Sequence, residues 1–410
     1  MKLALPRYVI AGLATAGLAV AGFWTVLIAC ADYYASQTTV AGTEKALALM
    51  PGRSSYYYQL ALLVTGRDPD RAVRALHRAV ALTPGDYLSW IELGLHAEMD
   101  GDIRQAERDL SRAAEVDNEF LPKWTLANFY SRRGDEARFW LWAKPAAQML
   151  YGDPLPLFRL CGAVAEDGKL LDRLEIRSPE IQAAYISYLL NRKRADLAKA
   201  AAPRLIEWGR PENVPLLLAV CDQLLSGGDV DGALAIWNSM AAKKSISSPP
   251  FLPEAKQVFA SDSFTAPALS QGFDWRLPSL EGLSVSREES PAGLRFSFSG
   301  RQPEECEPLS RLVPIQEGAG YEFGIRYRTE GIQPNTGLIL RITDATSGAL
   351  LAASGSLASE NDATAALSFT APAGCRLARI ALAYKRAAGT IRIEGSIALR
   401  EAALKRARLH

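Results

Sequence analysis

The residues best suited to catalysis or metal binding are few in this chain of 410 residues, and they lie far apart in its sequence. The three histidines are His77, His96 and His410, and none of the five cysteines belongs to a Cys-x-x-Cys pair. A zinc site takes about four such ligands held close together. We therefore predict a protein with no metal and no cofactor.

No arrangement of nucleophiles or carboxylates is typical of an active site. The sequence has no Gly-x-Ser-x-Gly turn and no glycine-rich phosphate loop ending in Lys-Ser or Lys-Thr. Glu304, Glu305 and Glu307 are close in sequence, but a glycosidase needs two carboxylates on either side of a cleft. A solvated acidic loop is the simpler interpretation, and we predict that the protein is not an enzyme.

Large aromatic residues recur at a fixed interval in the first half of the chain. Tyr56, Trp90 and Trp124 follow one another at 34 residues, an interval typical of a helical solenoid. Small and apolar residues recur in phase with the first two aromatics: Ala72 and Ala106, Leu76 and Leu110, Ala79 and Ala113. The aromatic side chain would fill the gap between two helices, and the alanines would let those helices approach closely.

This pattern resembles the tetratricopeptide repeat (TPR), most clearly over residues 53–119. A Gly-Asp pair also recurs along the helical half, at Gly101-Asp102, Gly134-Asp135 and Gly228-Asp229. We therefore interpret residues 40–243 as one TPR-like α-solenoid whose later repeats are degenerate.

The resemblance also implies a binding groove, which in this family is lined by the first helix of each pair. The corresponding residues here are Tyr57, Ala61, Val64, Ile91, Leu95, Glu98, Met99, Thr125, Phe129, Arg132 and Arg133. An apolar and aromatic surface with charges at its edge suits a peptide or a partner helix. We expect a protein partner there, unless further helices cover these residues.

Residues 1–32 have the pattern of a transmembrane anchor or a signal segment. Lys2 and Arg7 precede a run of 24 uncharged residues, from Tyr8 to Ala31, and about 20 apolar residues in a helix suffice to cross a bilayer. Basic residues before the span predict a cytoplasmic N-terminus and export of the chain after residue 32.

Three fates of this segment are open. It can remain as an uncleaved anchor, which the length of the apolar run favours. Ala29-Cys30-Ala31 has the small-x-small form of a signal-peptide cleavage site. Leu27-Ile28-Ala29-Cys30 resembles a bacterial lipoprotein box, in which Cys30 would be lipidated. Each places the body of the chain in the periplasm or at the cell surface, with the bacterial inner membrane as the expected anchoring site.

The charge of the chain is nearly balanced, with 46 basic and 45 acidic residues and a net charge of +1. Such a chain has no general attraction to nucleic acid, and we predict no nucleic-acid partner. Residues 401–410 are interpreted as a solvated basic tail. Because export permits disulfides, a bridge between Cys306 and Cys375 is a further hypothesis.

The period of the apolar residues changes after a Ser- and Pro-rich linker at residues 244–258. Apolar and polar residues alternate over 294–299, 321–328 and 338–342, and clusters of Gly, Pro and Asn separate these runs. Alternation of this kind predicts an antiparallel β-sandwich of about eight strands over residues 259–400.

The order of these segments resembles the jelly-roll domains of carbohydrate-binding and galactose-binding-like modules. The resemblance is carried by Gly272-Phe273-Asp274-Trp275, Gly293–Phe296, Gly320–Phe323 and Phe369–Pro372. It implies that exposed aromatic rings stack on sugar rings. The candidates are Trp275, Tyr327 and Tyr384, with Asp274 and Arg326 as polar partners; filling of the sandwich core is the alternative role for the rings.

The sequence thus predicts an N-terminal transmembrane helix, an all-α TPR-like solenoid and an all-β jelly-roll sandwich. The leading hypothesis is a membrane-anchored envelope scaffold. Its solenoid would bind a protein, its sandwich a glycan or a protein, and its setting would be bacterial polysaccharide synthesis, export or surface assembly. One alternative is a glycan-binding accessory subunit that delivers a separate carbohydrate-active enzyme. Another is an enzyme whose active site is not recognisable.

Overall fold

A computed structural model describes residues 7–150, 152–165, 168–262, 264 and 266–407. The chain is helical as far as residue 242 and is built from strands thereafter. It forms two compact units, the first ending at residue 176 and the second beginning at residue 177, with the short stretch around residue 168 assigned to the second. The predicted order of an apolar helix, helical repeats and a two-sheet β-sandwich is confirmed.

The first unit consists of ten described helices arranged largely as antiparallel pairs. Their bounds are α1 Arg7–Ser36, α2 Val40–Leu49, α3 Ser54–Val64, α4 Pro69–Leu82, α5 Tyr87–Met99, α6 Ile103–Val116, α7 Phe120–Arg133, α8 Glu136–Gln148, α9 Leu155–Val164 and α10 Leu170–Arg173. The pairs α3–α4 and α5–α6 are the two repeats that the 34-residue interval predicts.

In the recurrent Gly-Asp pair, the glycine ends one helix and the aspartate caps the next. Gly101 and Gly134 have φ of 83° and 68°, a left-handed conformation that glycine adopts without strain. The aspartate that follows caps the next helix: Asp102 accepts a hydrogen bond from the backbone N–H of Gln105 at 3.0 Å, and Asp135 from that of Arg138 at 3.0 Å.

The small residues of the repeat lie where the two helices of a pair are closest. All six alanines and leucines in phase with the aromatics are fully buried. A Cβ added to Gly94 on α5 would lie 2.6 Å from Cγ of Leu110 on α6, so any larger residue would have to displace Leu110. Trp90 and Trp124 remain partly exposed, and Nε1 of Trp90 donates to the carbonyl of Pro84 at 3.0 Å.

The second unit combines the remaining helices with the β-sandwich. Its helices are α11 Pro179–Asn191, α12 Ala195–Trp208, α13 Val214–Ser226 and α14 Val230–Ala242, with a short 3-10 turn at Pro211–Asn213. The segment predicted as one solenoid over residues 40–243 is therefore divided between two units. The reason lies in packing, because Trp237 on α14 contacts Phe273 of the β-region, with ring centroids 5.7 Å apart.

The linker predicted at residues 244–258 is held in place at Phe251. The side chain of Asn238 accepts from the backbone N–H of Phe251 at 2.8 Å and donates to its carbonyl at 2.9 Å. The ring of Phe251 is buried and lies 5.3 Å from the guanidinium of Arg311, which also lies over Phe259 and Trp275 at 4.5 and 5.2 Å.

The sandwich contains eleven described strands rather than about eight. Their bounds are β1 Gln257–Asp262, β2 Trp275–Arg276, β3 Leu283–Glu289, β4 Ala292–Ser299, β5 Glu305–Pro314, β6 Gly320–Glu330, β7 Leu338–Asp344, β8 Leu350–Ala353, β9 Ala363–Thr370, β10 Leu377–Lys385 and β11 Glu394–Arg406. Sheet 1 has the order β3-β4-β11-β6-β9, with β1 also paired to β11, and sheet 2 has the order β2-β5-β10-β7-β8. Every strand pairing is antiparallel.

The basic tail predicted at residues 401–410 is wrong for residues 401–406. These residues complete β11, where Lys405 pairs with Gln257 of β1 on one side and Glu322 of β6 on the other. Leu404 is fully buried between them. The apolar run Ala402–Leu404, between Glu401 and Lys405, belongs to this strand, which the basic composition obscured, and residues 408–410 lie outside the described part.

Candidate binding surfaces

Four apolar residues predicted to line the groove of the solenoid are buried within it. Ala61, Val64, Ile91 and Phe129 have exposures of 1 to 5%, and Thr125 is buried as well. The prediction that they contact a partner is therefore wrong. First helices of neighbouring repeats pack side by side, as α5 does with α7. This packing buries the side chains that were expected to line an open groove.

The other predicted groove residues lie at least partly at the surface of the repeats, although the side chain of Glu98 is only 10% exposed. We call this set the repeat surface; it consists of Tyr57, Leu95, Glu98, Met99, Arg132 and Arg133. Met99 is 69% exposed, and Tyr57 and Leu95 are partly exposed. The surface therefore presents an exposed thioether and apolar groups beside two half-exposed guanidinium groups.

Glu98 connects two successive repeats across this surface. Its carboxylate accepts hydrogen bonds from Nη2 and Nε of Arg132 at 2.6 and 3.0 Å, and lies 3.5 Å from Nη2 of Arg133. The hydrogen bonds from Arg132 are the main reason that the pKa of Glu98 is lowered, although burial of the carboxylate opposes this. Glu98 is thus ionised at neutral pH, and it fixes the position of both arginines.

The aromatic residues predicted to stack on sugars are buried. Trp275 packs against Phe264 and Arg311, and the hydroxyl of Tyr384 accepts from the backbone N–H of Ile393 at 3.3 Å. Tyr327 is 8% exposed, as is Asp274, whose carboxylate caps the backbone N–H of Leu269 at 2.6 Å. The structure contradicts the sugar-binding role of these four residues, because each side chain is used inside the fold.

Every aromatic residue of the sandwich is buried, not only the predicted candidates. All eleven phenylalanines, tyrosines and tryptophans between residues 257 and 407 are buried. Neither outer face of the sandwich therefore offers a ring on which a sugar could stack in this conformation.

Arg326 is the predicted candidate that the sandwich leaves exposed. It lines a concavity of about 320 Å³ on the outer face of sheet 1, together with Thr364, Glu401 and Lys405. Its guanidinium lies 3.5 Å from Glu401 and 3.9 Å from Asp362. Positive and negative groups alternate here, so this face has no strong preference for a charged ligand.

The outer face of sheet 2 carries a cluster of charged residues that the sequence reasoning missed. Its members are Arg276 on β2, Glu307 on β5, Arg341 on β7 and Arg379 on β10, with Asp222 from α13. The interpretation of residues 304–307 as a solvated loop is wrong for Glu305 and Glu307, which belong to β5. The signal available in the sequence was a single arginine within the apolar part of each of two strands, Arg341 in β7 and Arg379 in β10.

Ion pairs hold this cluster together. Glu307 accepts hydrogen bonds from Nη2 of Arg341 at 2.6 Å and from Nε of Arg379 at 2.8 Å. Asp222 accepts from Nη2 of Arg276 at 2.7 Å and from the backbone N–H of Gly272 at 2.8 Å. Burial acts to raise the pKa of Glu307, but the hydrogen bonds from the two arginines outweigh it and the pKa is lowered.

Two cavities adjoin this cluster. One, of about 300 Å³, is lined by residues that include Asp222, Arg276 and Arg379, and the other, of about 400 Å³, by residues that include Arg276, Glu307 and Arg379. Arg276 and Arg379 line both cavities. We call the two cavities together the cleft; each lies within the size range of small-ligand sites, and the first is also lined by the apolar residues Leu225, Leu312 and Leu377.

The proposed disulfide is excluded by the register of the sheet. Cys306 pairs with Tyr384 at one end of β10, whereas Cys375 precedes Leu377, which pairs with Pro314 at the other end. Eight strand residues separate the two ends, or about 26 Å, and a disulfide needs Cα atoms within about 7 Å. Both thiols are free and buried, and burial raises the pKa of Cys375 to about 11.

The N-terminal helix joins the first repeats directly. Ala11–Ser36 is the one helical stretch in the described chain that is long and apolar enough to cross a membrane. Beyond its exposed apolar part, Ala31 and Ala35 are buried against α2 and α3. The hydroxyl of Tyr56 donates to Asp32 at 2.5 Å; burial, with help from this bond, raises its pKa to about 12. Cys30 is exposed on the same helix.

Among the described residues, no group of three or more histidines, cysteines, aspartates or glutamates is placed to hold a metal ion. His96 is buried and its Nε2 lies 3.2 Å from the hydroxyl of Thr65, which is a packing role. Cys161 and Cys221 are buried, and burial raises the pKa of each thiol to about 12.

No protein-family model matches the chain, and neither does any curated protein. Solved structures resemble parts of it. A carbohydrate-binding module of the CBM4 type is 10% identical, with 35% of this chain and 97% of that one covered and a TM-score of 0.28. The CBM22-1–GH10 modules of the Clostridium thermocellum xylanase Xyn10B, solved with xylohexaose, are 8% identical, with 38% and 29% covered and a TM-score of 0.26.

The APC/C hetero-tetramer Cut9–Hcn1 is 14% identical, with 49% of this chain and 42% of that chain covered and a TM-score of 0.29. Each similarity concerns part of the chain at low identity. The assignment of helical repeats and a β-sandwich rests on the helices and sheets described above.

Proposed function

We propose that this protein is a membrane-anchored scaffold without enzymatic activity. Its repeat surface binds a protein partner, and its β-sandwich binds a glycan or a second protein. The setting that fits this combination is the bacterial cell envelope, with the body exported from the inner membrane to the periplasm or cell surface. There it would serve polysaccharide synthesis, export or surface assembly.

The observation that carries this proposal is the junction between the apolar helix and the repeats. Asp32 and Ala35 of α1 are bound by Tyr56 and Gln59 of α3, through hydrogen bonds of 2.5 and 2.7 Å. A helix built in this way both crosses the membrane and forms the first layer of the repeats. A partner on the repeat surface is thereby kept close to the membrane.

The repeat surface supports the choice of a protein as partner. Met99 is flexible and polarisable, a side chain suited to surfaces that accept other proteins. Arg132 and Arg133 are half exposed at its edge and are held in position by Glu98. Exposed apolar groups with arginine at the rim are typical of protein interfaces.

The test is photo-crosslinking of the full-length chain in bacterial membranes. A photoreactive residue in place of Met99 should give a discrete protein adduct, whereas the same residue in place of Leu350, which is 62% exposed on β8, should not give that adduct. Arg133→Glu, combined with the probe at residue 99, should abolish it. No adduct at residue 99, or an adduct unchanged by Arg133→Glu, would contradict the proposal.

Ile91 and Phe129 are unsuitable for this test. Both are buried, so a charged substitution at either would unfold the repeats instead of reporting on a partner.

A further inference from the structure

The charged cluster on sheet 2 is arranged as a row across four strands. In the register of the sheet, Arg276 of β2 lies opposite Ser310 of β5, Ser310 opposite Ala381 of β10, and Ala381 opposite Arg341 of β7. Strands are about 4.8 Å apart, so the two arginines stand about 14 Å apart. The small residues Ser310 and Ala381 form a floor between them.

Arg379 lies beside this floor and completes the set of guanidinium groups. It pairs in register with Leu312 and Thr343, two residues along β10 from Ala381. Arg276, Arg341 and Arg379 therefore supply three guanidinium groups. Only two carboxylates, Glu307 and Asp222, form ion pairs with them. The cleft has one positive charge in excess.

We propose that this cleft binds a carboxylate-bearing sugar, such as a uronic acid residue within an acidic polysaccharide. This inference rests on the glycan-binding part of the proposed function and specifies its ligand. Glu307 accepts from Nε and Nη2 of Arg379, and Asp222 accepts from Nη2 of Arg276, so the charge-assisted hydrogen bonds to a ligand carboxylate come from the Nη1 groups of these arginines. Arg379 and Arg276, which line both cavities, bind the carboxylate.

The remaining polar groups fit the hydroxyls of such a sugar. Glu307 is ionised, because its pKa is lowered, and an ionised carboxylate accepts hydrogen bonds from hydroxyl groups. Ser270 lines the cavity of about 400 Å³, and its exposed hydroxyl can both donate and accept; Ser310 lines the same cavity but is only 3% exposed. The burial of every aromatic ring in the sandwich removes the stacking surface that a neutral sugar would use, and so favours an acidic one.

The experiment measures binding of the full-length chain in detergent to oligogalacturonate by isothermal titration calorimetry. The same oligosaccharide with its carboxylates methyl-esterified is the neutral probe, and oligoglutamate is the acidic peptide probe. We expect binding of the uronate that weakens as salt is raised, and little binding of the ester. Arg379→Gln should weaken uronate binding about tenfold, as expected for loss of a charge-assisted hydrogen bond.

Two variants make the comparison specific. Arg341→Gln leaves Glu307 paired with Arg379 but removes the excess positive charge, so it should also weaken uronate binding. This variant tests the proposal independently if circular dichroism shows that Arg379→Gln is poorly folded. Arg328→Gln removes the same charge from the exposed face of sheet 1 and should leave binding unchanged. Equal effects of Arg379→Gln and Arg328→Gln would overturn the assignment of the cleft.

The probes separate this inference from the proposed function. Equal binding of the ester and the acid would overturn the inference and leave glycan binding intact. Binding of neither saccharide would overturn both the inference and the glycan-binding part of the proposed function. Binding of oligoglutamate but not of the uronate, with the same dependence on Arg379, would replace the sugar by an acidic protein.

Discussion

Glu98 stabilises the contact between two repeats through its charge, and this gives a prediction for Glu98→Gln. The glutamine keeps the shape but loses the charge-assisted bonds to Arg132 and Arg133. The side chain of Glu98 is 10% exposed, but that of Arg132 is 48% exposed, so solvent screens part of the interaction. We expect a loss of about 1 kcal/mol in the free energy of unfolding at pH 7.

The pH dependence follows from the direction of the pKa shift. The pKa of Glu98 in the folded protein is below its usual value of 4.5, so its contribution is fully present above pH 4.5. It is lost as the pH falls through the folded value. The difference between the parent and Glu98→Gln should therefore shrink below pH 4.5, measured by thermal unfolding followed by the helical circular dichroism signal.

The matched control for this prediction is Glu115→Gln. Glu115 pairs with Arg112 at 2.9 Å, but both side chains are about half exposed or more, at 64 and 47%. Pairs of this kind contribute little, so the control should change stability by less than about 0.5 kcal/mol. Equal losses for Glu98→Gln and Glu115→Gln would contradict the special role of Glu98.

The close pairing of α5 with α6 depends on the lack of a side chain at Gly94. Alanine favours a helix over glycine by about 1 kcal/mol, but its Cβ would lie 2.6 Å from the branched carbon of Leu110 and 3.2 Å from the carbonyl of Ala106. Overpacking of this kind costs about 1–3 kcal/mol. We expect Gly94→Ala to lower the free energy of unfolding by about 1 kcal/mol, measured by chemical denaturation.

Gly66→Ala is the control for this prediction, because nothing lies within 4 Å of the Cβ that it would add. Its effect should stay within about 0.5 kcal/mol. A Gly94→Ala variant as stable as the parent, or more stable, would contradict this prediction. It would show that α5 and α6 can move apart at residue 94 without a loss in the free energy of unfolding.

These elements show what the sequence could predict and why. Interactions repeated at 33 or 34 residues, such as the buried Ala72 and Ala106 or the caps at Asp102 and Asp135, are local and leave a periodic signal. The alternation in the strands likewise predicts a two-sheet sandwich. The burial of Trp275 and Tyr384 depends on which strands are neighbours in the sandwich. The row from Arg276 to Arg341 depends on the register of these strands. Both are set by contacts between residues far apart in sequence, which leave no periodic signal.

At the scale of the whole molecule, the helical repeats begin within the helix that could cross the membrane. Ala31 and Ala35 are buried in the first layer of helices, and a Cβ added to Gly42 of α2 would lie 2.6 Å from the carbonyl of Tyr34. Cleavage after Ala31 would leave five residues of α1 in this layer and expose the apolar surface beneath. Cleavage would therefore lower the free energy of unfolding of the repeats. Removal of a signal peptide that makes no contact with the repeats would not have this effect.

We accordingly expect the N-terminal helix to be retained when the full-length chain is produced in bacterial membranes. Intact mass spectrometry of the purified protein should give the mass of the uncleaved chain, and Cys30→Ser should change it only by the difference between sulfur and oxygen. A mature chain beginning at Asp32 would show that the contacts of Ala31 are dispensable. A chain beginning at Cys30 with added acyl mass would replace the transmembrane anchor by a lipid, while keeping Ala31 and Ala35 in place, so that the repeats would still be held at the membrane surface.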